Sequence, residues 1–103
     1  MIHVIATVTL KPVVLSDYLG LLAANCRLVR AEAGCVSYVA TRDVASGIAA
    51  QEPLRTDTVV ICEQWTSLEA LHAHLAAPHM AAWRERVKDL VAGTRLQVTE
   101  AVA

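Results

Sequence analysis

The chain has 103 residues, 55% of them hydrophobic, and nine Lys and Arg against ten Asp and Glu leave a formal charge of −1. That length suits one domain, residues 1–103, built around one core. The even charge balance, with 4% aromatics and no Phe, argues against nucleic-acid binding, which needs a cationic footprint and often stacking platforms.

A mean hydropathy of +0.44 is high for a small monomer, whose surface is large relative to its volume. A membrane or a partner should cover the excess. The longest apolar runs, such as "YLGLLAANC", fall short of the roughly 18–20 residues a spanning helix needs. The N-terminal "MIHVIATVTL" lacks a basic leader and alternates like a strand. The expectation is a cytoplasmic oligomer with no membrane contact. Cys26, Cys35 and Cys62 are an odd count at no zinc-like spacing and read as small buried hydrophobes.

In chain order, "IHVIATVTL" places Val4, Ala6, Val8 and Leu10 on one strand face and His3, Ile5, Thr7 and Thr9 on the other. Pro12 is expected to open a helix, with Leu15, Leu19, Leu22, Cys26 and Val29 as its apolar stripe and Gly34 as its stop. A second strand covers residues 35–43. The turn-rich 44–56 connection, long for a hairpin, leads to a third strand over 57–66. There Val59, Val60, Ile61 and Cys62 are apolar in succession, so both faces should be buried.

Thr66 or Ser67 can cap the next helix, and Thr66 with Glu69 fits a capping box. That helix halts near Ala77, and Pro78 starts another, with Met80, Trp83, Val87, Leu90 and Val91 on one stripe. After Gly93 a last strand closes the order β-α-β-β-α-β. This is the α+β ferredoxin-like pattern, an antiparallel sheet with helices on one face. A second copy packed sheet to sheet would cover the other face, giving a homodimer.

"EAGCVSY" after the first helix and "CEQWTSLEALHAHLAAPHM" after the third strand resemble the antibiotic biosynthesis monooxygenase domain. The shared pattern is a glutamate, Gly-Cys and Tyr, then E-x-W, E-A-L, H-L and P-H. The resemblance implies a dimeric α/β barrel with a small-molecule pocket between sheet and helices. Some members oxygenate phenols or quinols with O2, using neither metal nor flavin. Fold alone does not select among the chemistries such a scaffold carries.

Three of the four histidines, His72, His74 and His79, crowd into "LHAHLAAPHM". With Leu68, Leu71 and Leu75 as the buried stripe, His72 and His74 fall on opposite flanks, and periodicity does not say which one faces a pocket. Helical metal ligands want i, i+3 or i+4 spacing. His72 and His74 are two apart, His79 lies beyond the proline, and no metal site or cofactor is expected. The resemblance places His74 at the family's H-L histidine and His79 at its P-H histidine.

A histidine suits proton removal near neutral pH, so His74 is the expected base. Trp65 could wall a flat substrate or donate its indole N–H, and Arg84 could aim at a substrate oxygen. Tyr38 could donate its hydroxyl, Trp83 could serve as core or lid, and His79 could cap the last helix. The expected function is cofactor-independent oxidation of an aromatic quinol or phenol with O2. The alternatives are a non-catalytic binder of small hydrophobic or aromatic ligands and an isomerase of a small carbonyl compound.

Overall fold

The computed structural model describes residues 1–103. The elements are β1 (Ile2–Leu10), α1 (Leu15–Arg30), β2 (Cys35–Thr41), β3 (Thr58–Trp65), α2 (Leu68–Ala76), α3 (Pro78–Val87) and β4 (Val91–Glu100). The strands form one antiparallel sheet in the order β2-β3-β1-β4, the ferredoxin-like arrangement its pattern predicts. No helix is long and apolar enough to cross a membrane.

The β1 alternation holds: Val4, Ala6, Val8 and Leu10 are buried. Its register with β3 pairs Val4 with Glu63, Ala6 with Ile61 and Val8 with Val59. Glu63 and Trp65 therefore share the helix-side face with Val59 and Ile61, and all four are buried. The outer face lies open in the single chain. Val60 is half-buried and Cys62 exposed, so one chain covers only one face of β3.

The first helix starts at Leu15 rather than at Pro12. Val13, at φ 67°, takes a left-handed conformation that a right-handed helix cannot include. The buried stripe is also rotated, to Tyr18, Leu22, Asn25, Cys26 and Val29. Leu19 is exposed and Leu15 half-buried, because the large Tyr18 ring takes the inward position. Gly34 is left-handed at φ 83°, but α1 has already ended at Arg30 with Ala31 as a right-handed C-cap, so the glycine turns the chain into β2 rather than stopping the helix.

Ser67, not Thr66, caps α2, its hydroxyl accepting from the Ala70 N–H at 3.1 Å. Leu71 and His74 are the buried residues of α2, whereas Leu68 and Leu75 are 49% and 38% exposed. The inward stripe thus runs through a histidine. Ala77, at ψ 138°, is the extended residue on which α2 ends and α3 begins, as the steric demand of the following proline dictates. Met80, Trp83 and Val87 are buried on α3. The expected continuation of that stripe fails: Leu90 lies past the helix, and Val91 and Gly93 already belong to β4.

The 44–56 connection is closed at its neck by Asp43 and Arg55. Arg55 donates from its backbone N–H, Nε and Nη2 at 2.8, 3.0 and 2.8 Å, and this holds the Asp43 carboxyl down at about 2.

Gly34 joins the α1–β2 corner to α2. Its carbonyl accepts from the Thr66 N–H at 2.9 Å. A Cβ there would lie 2.5 Å from the Ala70 Cβ and 2.9 Å from the Thr66 Oγ1. Gly34→Ala combines left-handed strain of about 1–3 kcal/mol with overpacking of a similar size. We expect a loss of at least ~2 kcal/mol, a fall in Tm of about 8 °C or more, measured by thermal unfolding.

Candidate active site

A cavity of about 230 Å³ lies between the sheet and the helices. Ala6, Val8 and Ile61 supply apolar sheet surface, Met80 and Trp83 come from α3, and Thr94 and Leu96 come from β4. Tyr18, Tyr38, Glu63 and His74 add polar groups to the same space, and Leu75 and Arg84 complete it. A groove of about 300 Å³ between α1 and β2 is larger, but its lining is mostly aliphatic, with Arg27 and Arg30 as its charged residues. Only the smaller cavity combines a histidine, a carboxyl and two phenols, the convergence expected of a reactive site.

His74 is 2% exposed. Its Nδ1 lies 2.7 Å from Glu32 Oε2, and an ionised carboxylate only accepts, so the proton sits on Nδ1 and Nε2 is left as the acceptor nitrogen. The Trp65 ring lies against the imidazole with centroids 4.6 Å apart, and Tyr38 meets it edge-on at 5.8 Å. The ring is thus fixed by one hydrogen bond and two aromatic contacts.

Trp65 is fully buried and does not line the cavity. Its Nε1–H donates to Glu63 Oε1 at 2.9 Å, so it supports His74 and Glu63 rather than walling the cavity. Tyr38 is 3% exposed and lines the space. Burial, with the nearby charges of Glu63 and Glu32 contributing, pushes its phenol well above the ordinary value. Trp83 lines the cavity and packs at a tilt on Tyr18, centroids 5.7 Å apart. Arg84 borders it while its Nη2 donates to the Leu75 carbonyl at 3.1 Å, tying α3 back to α2.

His79 lies outside the cavity lining and caps nothing, since no side chain caps α3. Its Nε2 stands 3.4 Å from the carboxylate oxygen that holds His74. His72 is exposed. No group of three or more His, Cys, Asp or Glu side chains is arranged to hold a metal ion.

Three residues of this site carry no assignment from the sequence: Glu32, Glu63 and Tyr18. Glu63 had a visible signal, because alternation from Val59 puts a carboxyl on a face otherwise apolar. Glu32 is the glutamate of the shared family pattern, but its contact with His74 spans 42 residues and no local spacing shows it. Desolvation raises the Glu63 carboxyl; the Trp65 hydrogen bond partly offsets this, and Glu32 adds to it.

Residues 1–86 match the sequence model of antibiotic biosynthesis monooxygenases. The chain belongs to this family. Over 69 residues it is 38% identical to an Escherichia coli K12 protein named "Probable quinol monooxygenase YgiN", a match spanning 67% of this chain and 65% of that relative, just under two thirds of its length. A solved structure from Deinococcus radiodurans superposes with a TM-score of 0.80 at 25% identity, covering 100% of this chain and 94% of the other. One from Mycobacterium tuberculosis gives 0.78 at 26% identity, covering 99% and 95%.

Within this family member, Glu63 makes a prediction that needs no substrate. A carboxyl raised in the folded state keeps its proton longer there than in the unfolded chain. Stability therefore falls as pH rises from the ordinary glutamate value of 4.5 through the raised one. Glu63→Gln keeps the oxygen that accepts from Trp65 and has no proton to lose. Urea unfolding from pH 4 to 8 should show wild type losing stability relative to the variant as pH rises above 4.5.

Proposed function

We propose that the protein is a cofactor-independent monooxygenase that oxidises a small aromatic phenol or quinol with O2, with His74 as its base. The observation that carries this reading is a buried histidine on the cavity wall whose Nδ1 is held by Glu32 at 2.7 Å, leaving Nε2 to accept a proton. The relative named as a quinol monooxygenase supports the substrate class.

In this reading Nε2 takes a proton from the substrate, and the imidazolium is stabilised by Glu32 and by the face of Trp65. The anion passes one electron to O2, and the radical and superoxide combine at a ring carbon bearing hydrogen. The imidazolium returns its proton to the peroxide. The O–O bond then breaks, hydroxide leaves with the carbon's remaining proton as water, and a carbonyl remains. One oxygen atom enters the product and one leaves as water, so the substrate's own electrons suffice. Tyr38, whose phenol stays protonated, donates to the developing oxyanion.

Oxygen uptake by metal-free protein over hydroquinones, naphthols and anthrone-like phenols tests this. Wild type should exceed the uncatalysed rate, with His74→Ala lowering kcat by roughly 10²–10⁴-fold and Glu32→Gln by about 10-fold or more. No uptake by wild type would transfer the site to ligand binding without turnover.

The outer sheet face supports a homodimer. Ile5 is 45% and Val39 48% exposed there, with Cys62 between them across the register. A second copy of this face would cover all three. Sedimentation should show a dimer for wild type and a monomer for Ile5→Lys combined with Val39→Lys. A wild-type monomer would end this part of the reading.

A further inference from the structure

Residues 44–56, between β2 and β3, form an arm held together by its own polar groups. The Gln51 Nε2 donates to the Val44 carbonyl at 2.8 Å, the Ile48 N–H to the Ser46 Oγ at 3.1 Å and the Gln51 N–H to the Ile48 carbonyl at 3.0 Å. With the Asp43–Arg55 clasp at the neck, every hydrogen bond of residues 44–55 ends within residues 43–55. Yet Val44, Ile48 and Leu54 are more than half exposed, and none of them joins the core. A segment ordered from within, with its apolar side chains held out to solvent, is shaped to lie on a surface outside its own core.

A surface in need of cover lies at the other edge of the sheet. Thr94, Leu96 and Val98 pair with Val8, Ala6 and Val4 and so share the helix-side face with them. Leu96 and Val98 nevertheless stay 43% and 48% exposed. Thr94 and Leu96 also line the cavity, so its open side runs along this strand. The arm and this part of β4 stand at one level: Thr41, where β2 ends, pairs with Val60, Val60 with Thr7 and Thr7 with Arg95. They lie at opposite edges in the order β2-β3-β1-β4, three strand spacings or roughly 14 Å apart.

Two copies packed by their outer sheet faces, about a two-fold axis parallel to the strands, bring these edges together. Such an axis exchanges the edges and keeps the level, so the β2 edge of one copy falls against the β4 edge of its partner. Stacked sheets lie roughly 10 Å apart. Half of the arm, about six residues, spans up to roughly 20 Å, enough to pass the edge and turn onto the helix-side face. Charge agrees with this path. Arg95 alternates with Leu96 onto the outer face of β4, Glu52 lies near the tip of the arm, and neither has an ion-pair partner in its own chain. An arm crossing that edge sets the two opposite charges side by side.

We propose that residues 44–56 are a cross-subunit arm that lies over β4 of the partner subunit and closes the open side of its cavity. Ile48 packs against Leu96 of the partner subunit, and Glu52 stands beside Arg95 of the partner subunit. Each cavity is then completed by the other copy. This rests on the homodimer reading and holds whatever chemistry the cavity performs.

Cross-linking tests the placement. Ile48→Cys and Leu96→Cys would be combined in a Cys62→Ser background, which removes the exposed native thiol, and then oxidised. Both positions are exposed, so neither change disturbs the core. The double variant should run as a covalent dimer on a denaturing gel, and each single variant as a monomer. A disulfide closed within one chain would put the arm on its own β4 and overturn the proposal. So would a double variant that sediments as a dimer yet forms no cross-link, an outcome that leaves the homodimer itself standing. A wild-type monomer would end both. Replacing residues 46–53 by two glycines keeps the clasp and the sheet faces. It should leave the dimer intact and raise acrylamide quenching of Trp83, which lines the cavity; unchanged quenching would overturn the closure.

Discussion

The contact between His74 Nδ1 and Glu32 Oε2, 2.7 Å long, is the interaction on which the site depends. It joins the turn after α1 to the last turn of α2. Gly34 makes it attainable, because the absence of a Cβ lets Ala70 close on the corner and the Gly34 carbonyl takes the Thr66 N–H. Without Glu32 the buried imidazole would keep an unpaired polar atom, at a cost of about 1–3 kcal/mol. The packing of α2 and the orientation of the His74 imidazole are therefore set by the same few atoms.

The carboxyls near His74 divide their work by environment. Glu32 is partly exposed and bonds the imidazole. Glu63 lies deeper, bonded by Trp65, and the charge of Glu32 helps to raise it. Two buried anions side by side are disfavoured, so raising Glu63 reduces the repulsion that would otherwise oppose a charged Glu32. Trp65 links the two systems, its ring against His74 and its N–H on Glu63. A residue that reads as substrate wall in the sequence is instead the support beneath His74.

Strand order, the left-handed turn at Gly34 and the break at Pro78 were legible because each rests on local chemistry: alternation, left-handed backbone, a missing N–H. The faces of the helices were less so. A stripe drawn through leucines put Leu19, Leu68 and Leu75 inside, whereas Tyr18, Asn25 and His74 are the buried residues. Counting apolar side chains misplaces any helix that turns polar groups inward toward a site, and α1 and α2 both do so. His74 and Glu32 both stand in the family pattern, but their pairing was not legible, since it is fixed by tertiary packing. Tyr18 could have been found by continuing the spacing from Leu22 back four residues.

Protein interiors are packed nearly as densely as organic crystals, with few voids larger than a water molecule. The space of about 230 Å³ is instead a cleft open at one side, bounded there by the exposed Leu75 and Leu96, and the break between α2 and α3 shapes it. Ala77 is extended and Pro78 restarts the helix, so α3 leaves α2 at an angle. The cavity lies on the inner side of that bend, between His74 and Leu75 before the break and Met80, Trp83 and Arg84 after it. Arg84 spans the bend by bonding the Leu75 carbonyl near the end of α2. A continuous helix would carry its residues past the sheet in one line; a bent one closes over a space. The proline among the clustered histidines thus shapes the candidate site as much as His74, which precedes it.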